Sequence, residues 1–177
     1  VTITWQGDVS SAESCVRHES RSRSYRAQDD SGNFSECTQV ITVNDQTPPV
    51  VTCPAPVTVS CAAAVPPVNI ALVTATDNCA GVITITWQGD VISNQTCANR
   101  YTITRTYRAT DVCGNFAECT QIITVNDQTP PVVTCPAPLT VSCASAVPAP
   151  NIALVTATDN CGGTITITHI GDVITNQ

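Results

Sequence analysis

YTITRTYRATDVCGNFAECTQIITV, residues 101–125, reads as two β-strands around a tight turn. Over 101–109, Tyr101, Ile103, Arg105, Tyr107 and Ala109 fall on one face and Thr102, Thr104 and Thr106 on the other, the period of two that a strand with one buried side requires. The face with Tyr and Ile is the expected core face. Arg105 is its charged member, and Ile103 becomes Arg21 in an earlier copy of the stretch, so this strand is expected near a sheet edge. QIITV at 121–125 alternates in the same way, and Asp111, Gly114 and Asn115 between the two runs are turn formers.

The same pattern extends outward. TITW at 84–87, VTVS at 57–60 and ALVTAT at 71–76 alternate, and no segment has helical spacing. About seven short strands separated by turn signals predict an all-β fold, a Greek-key immunoglobulin-like β-sandwich. WQGDV at 5–9 returns as WQGDV at 87–91 and as HIGDV at 169–173, a period of 82 residues. At that offset Cys15 falls on Cys97, Cys37 on Cys119, Cys53 on Cys135, Cys61 on Cys143 and Cys79 on Cys161. VNDQTPPVVTCPAP at 43–56 and 125–138 punctuates the copies, and its Pro-Pro pair favours a short, stiff, extended linker. The expected organisation is the back half of one module at 1–47, a complete module at 48–129 and the front half of the next at 130–177. The ends then cut through modules. The chain is expected to be part of a longer tandem array, with complementation of half-modules between subunits as the alternative.

Eleven cysteines, 12 prolines, no methionine and 4% aromatics leave little for a large aromatic core. The cysteines are widely spaced and no CxxC pair occurs, which favours disulfides over metal ligation and predicts an oxidising, extracellular or cell-surface location. The net charge is −7 and every positive side chain is an arginine. Such dispersed cations in an acidic chain exclude a nucleic-acid footprint, and the absence of lysine excludes a Lys–Asn isopeptide staple. No apolar run in the segment approaches the roughly 20 residues that cross a bilayer.

TPPVVTCPAPVTVSC, then TATDNC, then YRATDVCGNFAECTQIITVND resembles the hyalin repeat (HYR) family and its bacterial HYR-like relatives, over the whole 82-residue unit. The resemblance implies an immunoglobulin-like extracellular module associated with adhesion, of a kind that recurs in giant surface adhesins, including those of gliding Bacteroidota. Six cysteines per module, Cys53, Cys61, Cys79, Cys97, Cys113 and Cys119, depart from the usual hyalin pattern. The resemblance implies a Cys53–Cys119 bridge, because these two are the cysteines shared with ordinary hyalin repeats. In an immunoglobulin-like sandwich Cys79 and Cys113 lie at the same end, which pairs them and leaves Cys61 for Cys97. Pairing of sequence neighbours, Cys53–Cys61, Cys79–Cys97 and Cys113–Cys119, is the rival scheme.

Catalysis is not expected. His18 and His169 are the only histidines, at non-equivalent positions, and no catalytic motif surrounds them. No cofactor is expected unless calcium binds. Asn44, Asp45, Asp77, Asp111 and Asn115 are oxygen ligands that converge on a module junction in the predicted sandwich, as at the cadherin junctions that VNDQTPP resembles. Turn chemistry of the same residues is the alternative. Sequons at Asn33 and Asn94 are candidate glycosylation sites. The expected function is a structural or adhesive extracellular stalk or filament. Its partners are neighbouring repeats, identical chains, and surface glycans or other cells. The alternatives are a passive spacer of a secreted multidomain enzyme and a carbohydrate-binding module using Trp5 and Trp87.

Overall fold

A computed structural model describes residues 1–12, 18–79 and 81–175. Cys15 and Arg17 lie outside the described residues. The fold is all-β, with short 3₁₀ turns and no α-helix among the described residues.

Among the described residues, eleven strands form four sheets. β1 (Thr2–Ala12), β2 (His18–Gln28) and β3 (Phe34–Asn44) make an antiparallel three-stranded sheet. β4 (Val50–Thr52) pairs antiparallel with β6 (Thr74–Thr76). β5 (Val57–Val59) joins β7 (Thr84–Cys97), β8 (Arg100–Thr110) and β9 (Phe116–Asn126) in the order β5-β9-β8-β7. β10 (Val132–Thr134) and β11 (Thr156–Thr158) repeat the β4–β6 pair one period on.

The chain leaves one sheet for another between β4 and β5. β4 lies against β6, whereas β5 runs parallel to β9, Val57 opposite Ile123 and Val59 opposite Val125. The connecting Cys53-Pro54-Ala55-Pro56 explains the switch, because a proline cannot donate to a ladder and ends one pairing before the next begins. Gln121 Nε2 donates to the carbonyl of Ala55 at 3.0 Å and fixes this crossing. ALVTAT is shorter as a strand than its alternation predicts. Asn69 Oδ1 accepts the Ala71 N–H and stabilises a 3₁₀ turn over Ile70–Leu72, so only Thr74–Thr76 is extended.

The structure comprises two compact units: Val1–Ala55, Pro67–Val91 and Thr104–Gln121 in one, Pro56–Pro66, Ile92–Ile103 and Ile122–Gln177 in the other. In the first unit Pro49, Val73, Tyr107 and Ala109 are buried together with the polar Asp45, Arg105, Asp111 and Gln121. In the second, Ile103, Ile123 and Val125 are buried.

The alternation read from 101–109 is the observed one: Ile103, Arg105, Tyr107 and Ala109 are buried and their neighbours are less so. The expected edge position is corrected. β8 lies between β9 and β7, and Arg105 is tolerated at 4% exposure because Asp90 of β7 meets it.

Candidate functional site

Each recurring motif has a local structural cause. In WQGDV, Gly89 adopts φ 137° and Gly7 φ 112°, a region L-residues avoid. In β1 the pairing register with β2 shifts between Trp5 and Asp8, as in a β-bulge. The kink brings Trp87 Nε1 within 3.0 Å of Asp90 Oδ1, and Trp5 Nε1 within 3.1 Å of Asp8 Oδ1. The next strand supplies an arginine fork. Arg105 donates Nε to Asp90 Oδ1 at 2.9 Å and Nη2 to Oδ2 at 2.8 Å. Arg23 does the same to Asp8 at 2.9 and 3.0 Å. These forks hold the Asp90 and Asp8 carboxyls below the usual carboxylate range and push Arg105 and Arg23 upward. In the third copy His169 Nε2 lies 3.0 Å from Asp172 Oδ1 and occupies the position of the indole N–H.

D-x-x-G-N closes the β8–β9 hairpin. Asp111 Oδ1 accepts the N–H groups of Cys113 and Asn115 at 2.8 and 2.9 Å, and its Oδ2 accepts Asn115 Nδ2 at 2.8 Å. Burial works against ionisation of Asp111, but these bonds outweigh it and its pKa is lowered. Asp29 and Asn33 form the same turn between β2 and β3. Beyond each turn an arginine crosses to the next strand: Arg108 lies over the Phe116 ring at 4.1 Å and pairs with Glu118, and Arg26 lies over Phe34 at 4.2 Å and pairs with Glu36.

The expected calcium ligands divide between two arrangements. Asp45, Asp77 and Cys79 have ligand atoms within 4.8 Å of one another, a group that does not include Asp111. Asp45 Oδ1 accepts the Thr47 N–H, Asp77 Oδ1 accepts the Cys79 N–H, and Asn115 Nδ2 donates to the Asp45 carbonyl. Asp77 Oδ2 is buried without a hydrogen-bond partner among the described residues. Two carboxylates and a thiol fall short of the six to eight hard oxygens that calcium takes, so the geometry favours the turn reading. Asn44 ends β3. D-N-C is thereby explained: the aspartate accepts the N–H of the cysteine two residues on, at 2.8 Å for Asp77 and 3.0 Å for Asp159, and presents that cysteine on a fixed turn. Asn33 has its side-chain amide engaged by Asp29, whereas Asn94 is exposed on β7 with φ 54°.

Cys53 is bonded to Cys119, S–S 2.01 Å. The remaining expected pairings are corrected. Cys61 is bonded to Cys161 and not to Cys97, which is an exposed free thiol. Cys113 is disulfide-bonded, but Cys79 is not one of the bridged cysteines. The rival neighbour scheme fails for the same reason. Sequence reasoning considered partners inside one module only, and the Cys61–Cys161 partner lies 100 residues away, beyond the 82-residue period. The Arg105–Asp90 pair was also missed. Its signal was present in the sequence, since an Asp and an Arg recur at the same spacing in both copies.

No described helix is long and apolar enough to cross a membrane. No curated protein matches the chain. Residues 49–125, the stretch holding the Cys53–Cys119 bridge, the sheet switch and the D-x-x-G-N hairpin, match a family model described as an HYR-like domain with 4 cysteines.

Proposed function

We propose that the chain is a stretch of an extracellular, adhesion-type array of HYR-like immunoglobulin-like modules, structural and not catalytic, of the sort found in bacterial surface adhesins. The HYR-like match over 49–125 is the observation that carries this reading. The disulfides support an oxidising location. The strand that changes sheets between β4 and β5 suits a sandwich of two packed layers. The side chains that recur with the 82-residue period also support it, because their observed contacts brace strands and turns: Trp87 and Arg105 hold Asp90, and Asp111 holds the hairpin. With stiff Pro-Pro linkers, such modules in series make a stalk or filament. Each module adds roughly 35–40 Å, from strands of about eight residues plus a linker.

Electron microscopy of native material tests the reading. Extended fibres of beads at that spacing are the expected result. Single globules attached to a larger catalytic body would replace the filament with the passive spacer.

A further inference from the structure

Every cysteine of this chain has a place in the 82-residue repeat, so the observed bridges can be mapped onto the period. Cys53–Cys119 stays inside one repeat. Cys61–Cys161 does not: Cys161 is the counterpart of Cys79, one period on. The bond therefore ties the segment after β5 in one repeat to the D-N-C turn of the following repeat. Its surroundings form a built site. Asn99, at the β7–β8 turn, accepts the N–H of Ala62 at 2.9 Å through Oδ1 and donates Nδ2 to the Gly162 carbonyl at 3.5 Å. One amide thus holds the residue following each bridged cysteine. Asp159 fixes the Cys161 turn, and Cys61 starts the 3₁₀ turn Ala62–Ala64.

The free thiols follow the same logic. Cys143, exposed and free, is the counterpart of Cys61 and starts the equivalent 3₁₀ turn, Ala144–Ala146. Cys37 and Cys135, also exposed and free, are the counterparts of Cys119 and Cys53. Each of these three thiols stands where another copy of the repeat carries a bridged sulfur.

We propose that the cross-repeat bridge recurs once per period, that Cys143 is the acceptor for the D-N-C cysteine of a further repeat of this same kind, and that the array is joined covalently at every junction. The bond forms by exchange with a disulfide oxidant of the oxidising compartment. The Cys143 thiolate attacks one oxidant sulfur and displaces the other as a thiolate, which takes up a proton. The incoming D-N-C thiolate then attacks Cys143 Sγ and releases the second oxidant thiol. Two cysteine thiols lose two electrons and two protons, and the oxidant disulfide gains them as two thiols. Cys143 is prepared for the first step: the Ser145 hydroxyl 3.3 Å away, with the Ala146 N–H, lowers its thiol pKa. The inference rests on the repeat and the bridge, and holds whether the array adheres or only spans distance.

Disulfide mapping tests it. The 177-residue chain is folded in a glutathione redox buffer, alkylated, cleaved at aspartates without reduction and analysed by mass spectrometry. The aspartate fragment that holds both Cys53 and Cys61 is expected linked to the Cys119 fragment and to the Cys161 fragment, with tandem fragmentation placing Cys61 on Cys161 and Cys143 fully alkylated. The same protocol is applied to a chain lengthened by one period of its own sequence. There Cys143 is expected linked to the added cysteine 100 positions on, its alkylation falling at least tenfold. Cys61 linked to Cys97 in the 177-residue chain overturns the proposal by itself. So does Cys143 that remains alkylated, or bonds within its own repeat, in a lengthened chain whose Cys135 has bridged to the added cysteine 66 positions on.

Discussion

β1–β3 and β7–β9 are two copies of one ladder, yet their burial differs. Both have the positive-φ glycine of WQGDV, the Trp–Asp–Arg brace, the D-x-x-G-N turn and the arginine over phenylalanine. In β7–β9, Tyr107 is 1% exposed and Ala109 and Ile123 are fully buried. Their counterparts Tyr25 and Ile41 are half-buried, and Ala27 is exposed. The difference lies in the strands around the ladder. β9 carries β5 along its edge, while β3 ends its sheet among the described residues. Turns, bulges and cross-strand ion pairs are local and form wherever their sequence occurs, whereas a core needs apolar surface brought from tens of residues away.

The largest break in this comparison comes from the covalent link that one ladder has and the other lacks. Cys53–Cys119 closes a separation of 66 residues onto β9, worth about 4 kcal/mol in the chain-entropy picture against a total of about 5–15 kcal/mol for a small domain. Cys37, the β3 counterpart of Cys119, is a free thiol. Replacing Cys53 and Cys119 together by Ser is expected to lower the melting temperature by on the order of 15 °C, and Cys37→Ser to leave it unchanged. Equal effects from the two changes, in thermal unfolding followed by circular dichroism, would show that the bridge does not distinguish the ladders.

A smaller effect separates the two arginine forks. The side chain of Arg105 is 5% exposed in its pair with Asp90, and that of Arg23 is 36% exposed in its pair with Asp8. Arg105→Met leaves a carboxylate without its cation at the edge of a core, and is expected to cost about 2 kcal/mol. Arg23→Met, at a solvated pair, costs measurably less. The same pair makes a pH prediction. Arg105 lowers the folded pKa of Asp90 below the ordinary 3.8, so its stabilisation is complete above that value and is lost as the pH falls through the lower, folded one. Urea midpoints measured from pH 7 to pH 2.5 should show a shallower acid limb in Arg105→Met than in the parent. Superimposable limbs would remove Asp90 from the account.

These differences mark what the sequence makes legible. The alternation of 101–109 placed Tyr107 and Ala109 inward correctly, because a strand face follows from a period of two. Pro54 and Pro56, read only as part of a stiff linker, lie where the chain changes sheets. The position of β8 within its sheet was not legible. A charge on a core face suggested an edge, and the compensating Asp90 lies 15 residues earlier, on the neighbouring strand. The 3₁₀ turn at Ile70–Leu72 was hidden by apolar residues that suit either state, and Asn69 decided it through one side-chain bond. The Cys61–Cys161 bond was hidden by its reach, since its partner belongs to another copy of the motif.

The smallest expected effect asks what the tryptophan of WQGDV is for. A sugar platform would require the ring, yet the third copy has His169 there, and its Nε2 is as close to Asp172 as Trp87 Nε1 is to Asp90, 3.0 Å in each case. The element common to all three copies is then a ring nitrogen held against the aspartate three residues on, and in the two ladders that same carboxylate receives an arginine. Trp87→Phe keeps an aromatic face and deletes the donor, and is expected to cost about 1 kcal/mol. Trp87→His restores a donor on a smaller ring, and is expected to recover most of that loss in urea denaturation. If Phe and His destabilise equally, the indole contributes through its surface and the hydrogen bond is incidental. If Phe is neutral, the position is free for a ligand, and the two exposed tryptophans return as candidates for binding.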